Sequence, residues 1–226
     1  MIKKPSRAAF VRCAPFALFI ALLALRGAAP EDGSWGLDPR WIYGCTVLLV
    51  GPMLWWWRRE YGELVAQTWP PWREVALAVV VGGVVFQFVI WLDAPWMRLG
   101  EATAGFRPVD AQGHMMWPLV AVRWVGAALL VPVMEELFWR SYLMRWIEAP
   151  QFALVDPRRV GLRAVVLSTF VFMLAHTLWL SAILAGLAYA WLYIRTGRLW
   201  PAVIAHAVTN GLLGGWVVLT GNWGFW

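Results

Sequence analysis

Charged side chains are scarce in this sequence: Asp, Glu, Lys and Arg make up 14% of its 226 residues, whereas hydrophobic residues make up 61%. A soluble domain of this length needs far more polar surface to cover its core. The composition therefore excludes an ordinary soluble protein and indicates a chain that lies mainly in a lipid bilayer. The net charge of +6 comes from short basic clusters between apolar runs, a distribution that argues against a nucleic-acid partner.

Cysteine is nearly absent, with only two residues in the chain. Cys13 and Cys45 lie at or inside the first two apolar runs. They lack the spacing of a disulfide framework or of a cysteine-based zinc site, so both classes of stabilising site are excluded.

Seven apolar runs are long enough, or nearly so, to cross about 30 Å of hydrocarbon. They cover residues 14–25, 41–57, 75–92, 118–139, 162–178, 180–194 and 201–219. The prediction is an all-α fold, a polytopic transmembrane helical bundle of about seven spans (six to eight) that forms one integral membrane domain over residues 1–226. A cleavable signal peptide competes with a membrane span for the first run, although Arg26 near the cleavage position counts against it.

The distribution of Lys and Arg predicts the orientation of these spans, because basic residues accumulate on the cytoplasmic side. With a cytoplasmic N-terminus, thirteen of the nineteen lie on that side: Lys3, Lys4, Arg7, Arg12, Arg58, Arg59, Arg73, Arg145, Arg158, Arg159, Arg163, Arg195 and Arg198. Four lie on the opposite side: Arg26, Arg40, Arg98 and Arg107. We therefore predict that the N-terminus is cytoplasmic.

Tryptophan is abundant, with 19 residues, many of them at the ends of the apolar runs. Examples are Trp55, Trp56, Trp57, Trp69, Trp72, Trp91, Trp96, Trp223 and Trp226. Since amphipathic rings prefer the headgroup zone, we interpret these side chains as membrane anchors rather than as a binding site.

Three charged residues interrupt the fourth apolar run: Glu135, Glu136 and Arg140. On the lenient insertion scale each charge at mid-membrane costs about 2.5 to 3.5 kcal/mol, so the three cost about 8 to 10 kcal/mol before pairing. Glu136 and Arg140 share a helix face and are predicted to form a bidentate ion pair. Glu135 is left free for general-base chemistry, beside a kink or water pocket at Pro132. A buried packing cluster remains the alternative on these residues alone.

Two of the three histidines fall in later apolar runs, each at helical spacing from a second residue: Phe172 with His176, and His206 with Asn210. A lone histidine in a membrane span is more often a hydrogen-bonded packing residue. Together with the acidic pair, however, these groups supply what peptide hydrolysis needs, namely a base, a second ligand for the water, and donors for the oxyanion.

The order Glu-Glu-x-x-x-Arg, Phe-x-x-x-His and His-x-x-x-Asn on successive hydrophobic segments resembles the CAAX prenyl protease and bacteriocin-processing family of intramembrane endopeptidases. All three motifs are complete, and they fall within residues 118–219, the predicted catalytic core. Residues 134–140 and the Trp-rich tail are similar to the subgroup associated with bacterial exosortase systems. That similarity implies a bacterial inner membrane protein.

The resemblance implies glutamate-dependent, metal-free hydrolysis of a membrane-associated protein or peptide, in a cavity that opens towards the cytosol. Glu135 and His176 would then activate water, and His206 and Asn210 would form the oxyanion site. Glu136 with Arg140 would orient the helix.

Several alternatives compete with this interpretation. The serine motif of rhomboids, the His-Glu-x-x-His of site-2 proteases and the Gly-x-Gly-Asp of presenilins are all missing from the sequence. A zinc site built from His176, His206 and Glu135 has suitable ligand types. A proton-coupled transporter or an immunity-like partner protein would also explain buried Glu and His.

The depths of these residues in the membrane do not agree with one another. At 1.5 Å per residue, Glu135 lies about 27 Å from the outer start of its span and His206 about 8 Å from the cytoplasmic start of its own. Both depths fit a cavity on the cytoplasmic side. His176, at about 21 Å from residue 162, does not fit unless its helix differs from the predicted one.

Overall fold

The computed structural model describes residues 6–30, 34, 36, 38–100 and 106–226. Within these ranges the chain forms helices and no strands, and each of the seven predicted runs corresponds to one helix, which confirms the all-α bundle. The helices are α1 (Arg7–Ala28), α2 (Ile42–Trp56), α3 (Trp72–Trp91), α4 (Trp117–Glu148), α5 (Leu162–Leu174), α6 (Trp179–Thr196) and α7 (Trp200–Thr220). By length and composition, α1, α3, α4 and α7 can cross a membrane, and α5 is a shorter apolar helix.

Helix α4 lies at the centre of the bundle. Met134 and Leu137 pack into one hydrophobic core, which α4 shares with α1, α2, α5, α6 and α7. Trp139 packs into a second core, which is formed with α3, α5, α6 and α7. The acidic pair is thereby buried between two packed layers rather than exposed to lipid.

Two π-helical stretches, Gly126–Leu130 and Leu137–Met144, flank the acidic pair in α4. The first ends just before Pro132, where the N–H of Val131 bonds back to the Gly126 carbonyl. In the same five-residue register, the residue at position 132 would donate its N–H to the Ala127 carbonyl. Proline has no N–H, so this carbonyl receives no backbone hydrogen bond from position 132. The chain therefore accommodates Pro132 with a π-helical stretch inside a continuous helix.

Helices α3 and α7 are in close contact at Gly82. A Cβ at this position would collide with the Ala205 carbonyl and the Val208 side chain, so only glycine allows the approach. The Thr209 hydroxyl lies 2.9 Å from the Gly82 carbonyl across the same contact. This contact fixes the face of α7 that carries the predicted motif residues.

A buried ion cluster holds the end of the bundle at which the chain begins. Arg12 donates to both carboxylate oxygens of Glu63, at 2.9 and 2.6 Å, and Arg145 donates to the Ser141 hydroxyl at 2.8 Å. Burial raises the pKa of the Glu63 carboxyl, but the hydrogen bonds and charge of Arg12 outweigh burial and bring it below its ordinary value. Arg12 and Arg145 were assigned above to the cytoplasmic side. In the structure they also connect α1 to α4.

The outer surface of the bundle is apolar, as expected for contact with lipid. Large hydrophobic side chains are exposed along the helices, for example Leu48, Val80 and Leu129, and tryptophans are exposed at helix ends, for example Trp56 and Trp91. Exposed rings at helix ends are compatible with the predicted role of these tryptophans as membrane anchors, which stays a prediction.

Candidate active site

Glu136 is fully buried and forms the centre of a three-residue cluster. Its Oε1 atom accepts from Arg140 Nη1 at 3.0 Å and from His206 Nδ1 at 2.9 Å. The prediction of a bidentate pair with Arg140 is wrong, because the second guanidinium nitrogen, Nη2, turns to the Gly186 carbonyl at 3.3 Å. Glu136 therefore links α4 to α7, and Arg140 links it to α6.

Aromatic rings and a glycine enclose the Arg140 guanidinium. Its central carbon lies 4.5 Å from the ring centroid of Phe172 and 5.3 Å from that of Tyr189. A Cβ on Gly186 would come within 2.8 Å of the Thr169 side chain, so the glycine lets α5 and α6 approach beside the guanidinium. The phenylalanine of the second motif thus stacks on the arginine of the first.

The helix that carries Phe172 ends before His176, so the prediction that this run remains helical to residue 178 is wrong. Helix α5 ends at Leu174, and the N–H of His176 bonds to the Met173 carbonyl at 3.0 Å. The Phe172 carbonyl, which a continuing helix would pair with that N–H, instead lies 2.7 Å from His176 Nδ1. The imidazole competes with the backbone for this carbonyl, and the turn tightens as a result.

This hydrogen bond sets the chemical role of the His176 ring. Since a carbonyl only accepts, Nδ1 carries a proton and donates it to Phe172. The other ring nitrogen, Nε2, is then an acceptor in the neutral imidazole. It lies 4.0 Å from Oε2 of Glu135.

Glu135 is 7% exposed, and its Oε2 atom is buried without a hydrogen-bond partner among the described residues. It is thus a buried carboxylate that faces the acceptor nitrogen of His176, just beyond the end of α5. The depths of the two residues now agree. Because α4 continues to Glu148, Glu135 lies about 20 Å from the C-terminal end of its helix, and His176 lies about 21 Å from the start of α5.

His206 is oriented by two neighbours. Glu136, already paired with Arg140, accepts a hydrogen bond from Nδ1. The ring of Tyr189 stacks on the imidazole at a centroid distance of 5.0 Å and an interplanar angle of 19°. The Tyr189 hydroxyl in turn bonds to Thr209 at 2.8 Å. Sequence reasoning missed Tyr189 and Gly186, because an aromatic residue or a glycine in an apolar run gives no signal of its own.

Asn210 satisfies the carbonyl that Pro132 leaves without a donor. Its side-chain Nδ2 donates to the Ala127 carbonyl at 2.9 Å, the group to which proline would have bonded in the π-helical register. One of the two amide N–H groups is therefore used within the fold. The second remains for chemistry.

A cavity of about 1380 Å³ reaches His176, His206, Asn210 and Tyr189, while Glu135 lies behind the wall at His176. Its other walls come from the final turn of α1, the end of α3, the first turns of α4 and the segment after α7. All of these lie at the end of the bundle opposite residue 7. The expected cytosolic opening and the expected cytoplasmic N-terminus are thus incompatible, and at least one of them is wrong.

The donor atoms around the cavity do not form a ready metal site. Among the residues that the structure describes, no group of three or more His, Cys, Asp or Glu side chains is placed to hold a metal ion. Metal-free hydrolysis and its zinc alternative therefore remain predictions for experiment.

Residues 117–212 match the family model described as type II CAAX prenyl endopeptidase Rce1-like. The matched segment runs from the start of α4 into α7 and contains all three motifs. No curated protein and no solved structure matches the chain.

Proposed function

We propose that this chain, whose residues 117–212 match the Rce1-like model of type II CAAX prenyl endopeptidases, catalyses a glutamate-dependent hydrolysis of a peptide bond in a membrane-associated protein or peptide. The observation that carries this proposal is Glu135 Oε2, which has no hydrogen-bond partner among the residues that the structure describes and faces His176 Nε2 at 4.0 Å. A buried carboxylate opposite an imidazole acceptor is an arrangement that binds a proton donor.

Water fits between these two acceptors. For a water oxygen about 2.8 Å from each acceptor, the angle between the two acceptor directions at that oxygen is about 90°. The water then donates one hydrogen to Glu135 and one to His176. Its lone pairs then point away from both groups, towards a carbonyl carbon in the cavity. Glu135 takes a proton as the water oxygen bonds to that carbon, and returns it to the amine as the C–N bond breaks.

The second cluster supplies the oxyanion site. Glu136 accepts from His206 Nδ1 and so orients the ring, and in its imidazolium form the ring donates from Nε2 to the tetrahedral oxygen. The remaining N–H of Asn210 is the second donor. Arg140 holds Glu136 in place, so it acts through Glu136 and His206 as a positioning residue.

Chelation tests whether this chemistry needs a metal ion. We expect cleavage of a fluorogenic membrane-peptide reporter to continue unchanged after prolonged treatment of the purified protein with EDTA and phenanthroline, because Glu135 and His176 activate the water. Addition of zinc should not increase the rate. Loss of cleavage that zinc restores would contradict the metal-free mechanism.

The charge distribution further supports a site that is reached from the non-cytoplasmic face, since the cavity mouth carries the four arginines assigned to that side. A cysteine at exposed Gln112, near the mouth, and one at exposed Arg159, at the other end, test this in a background without Cys13 and Cys45. A membrane-impermeant maleimide should label Gln112→Cys in intact cells and Arg159→Cys only after lysis. The reverse pattern would place the cavity on the cytosolic side.

The finer placement beside a bacterial exosortase system rests on residues 134–140 and the Trp-rich tail, and it remains a prediction.

A further inference from the structure

The cavity wall is strongly cationic. Among the described residues it carries five arginines and two aspartates: Arg26, Arg40, Arg98, Arg107 and Arg123, with Asp38 and Asp93. Arg40 pairs with Asp38 at 2.7 Å, and hydrogen bonds from Arg40 lower the pKa of the Asp38 carboxyl. Arg98 pairs with Asp93. Three arginines of the wall therefore have no carboxylate partner within the described ranges.

Arg123 is the deepest of the three. Its Nε and Nη1 atoms are buried and have no hydrogen-bond partner in the described part of the chain. Its guanidinium carbon lies 4.9 Å from the ring centroid of Tyr43, 4.8 Å from Phe106 and 5.8 Å from Trp226. The rings hold the side chain in place, but they do not satisfy its N–H groups. Trp226, predicted above as a membrane anchor, is part of this wall.

Arg26 brings a second cation to the same ring. Its guanidinium carbon lies 5.4 Å from the centroid of Phe106, the ring that also stacks on Arg123. Two like charges that share one aromatic ring repel each other, and neither has a counter-ion within the described residues. Such a pair lowers its free energy when an anion with two oxygens binds between or beside the guanidinium groups.

We propose that Arg26 and Arg123 form a subsite for a carboxylate of the substrate peptide, an inference that rests on the proposed peptidase function. A peptide carboxylate is favoured over a lipid phosphate because Arg123 points into the cavity that reaches His176, not onto the lipid-facing surface. Arg123 and Glu135 are twelve residues apart on α4, which is about 18 Å along the helix. An extended peptide covers that distance in about five residues, so the acidic group belongs about five residues from the scissile bond.

Binding without turnover tests the subsite independently of catalysis. The probes are apolar 16-residue peptides with a single Glu or, in the matched peptide, a single Gln, added to the Glu135→Gln protein while tryptophan fluorescence is recorded. We expect the Glu peptide to bind about 10- to 100-fold more tightly than the Gln peptide, because a charge-assisted hydrogen bond in a buried site contributes about that much affinity. Arg123→Gln should abolish the difference, and Arg123→Lys should keep part of it.

Arg195→Gln is the control, because it removes the same charge from an exposed position on α6 outside the cavity. It should leave the preference for Glu unchanged. Equal affinity for both peptides in the Arg123-containing protein overturns the subsite. So does a result in which Arg123→Gln weakens binding to phosphatidylglycerol nanodiscs and leaves peptide discrimination intact.

Failure of the proposed function gives a different result. If both peptides bind with the expected preference but the protein with Glu135 cleaves neither, the peptidase assignment fails and the anion subsite stands. If cleavage occurs, Arg123→Gln should raise KM about 10-fold or more for the Glu peptide with kcat unchanged.

Discussion

Replacing Glu135 with Gln abolishes peptide hydrolysis and leaves the protein folded. The amide has nearly the same size and shape but cannot accept a proton from water, so we expect kcat to fall by about 10²- to 10⁴-fold, the usual contribution of a general base. Since Oε2 of Glu135 has no hydrogen-bond partner among the described residues, the change breaks no hydrogen bond of that atom, and the similar size of glutamine preserves the packing. Reporter cleavage by purified protein, together with its melting curve in detergent, measures both parts.

Glu148→Gln provides the matched control on the same helix. Glu148 is exposed and accepts from the Gly161 N–H at 2.9 Å, a bond that a glutamine oxygen can also accept. The activity of the Glu148→Gln variant should equal that of the unchanged protein. Proteolysis that persists in Glu135→Gln would refute the glutamate-base mechanism, and a proton-coupled transporter would become the stronger interpretation of the buried Glu and His.

Removing either partner of the Glu136–Arg140 pair should destabilise the bundle. The two side chains are 0% and 3% exposed, so Arg140→Ala leaves Glu136 without its charged partner, and Glu136→Ala leaves both Arg140 and His206 unpaired. Breaking a buried pair costs about 3 to 5 kcal/mol. For a domain of this size that lowers the Tm by about 6 to 20 °C. Thermal unfolding in detergent, followed by circular dichroism, measures the shift.

Arg7→Ala is the control, since Arg7 and Glu60 form an ion pair of similar length, 2.7 Å, that is largely exposed. Its Tm should stay close to that of the unchanged protein because solvent screens the pair. The double variant Glu136→Leu with Arg140→Met should be more stable than either single alanine variant, since it leaves no buried charge of the pair unpartnered. Normal Tm values for both alanine variants would refute the structural role of the pair.

The helices were predictable because hydropathy alone marks segments that must satisfy their backbone groups within the membrane. The site residues were recognisable for the same reason: Glu135, Glu136 and Arg140 are costly in an apolar run, so their presence signals a role. The structure brings Glu135 to His176 and Glu136 to His206. The predicted contact of Glu136 with Arg140 is present in the structure, whereas its contact with His206 was not predicted.

Other features depend on contacts between distant segments, which composition does not encode. The end of α5 is set by one imidazole that takes the Phe172 carbonyl, and hydropathy continues unchanged past that point. The contact of Asn210 with Ala127 depends on a π-helical register upstream of Pro132. The side on which the cavity opens depends on the relative positions of the helix ends. The environment of Arg123 is formed by the rings of Tyr43, Phe106 and Trp226, which lie far from it in the sequence.

The most direct test of an intramembrane protease based on Glu135 is a comparison of membrane proteomes from cells that express the unchanged protein or Glu135→Gln at equal levels. The account predicts that at least one membrane-associated protein accumulates in its longer, uncleaved form only in the Glu135→Gln cells. Identical sets of protein termini in the two membranes would contradict it.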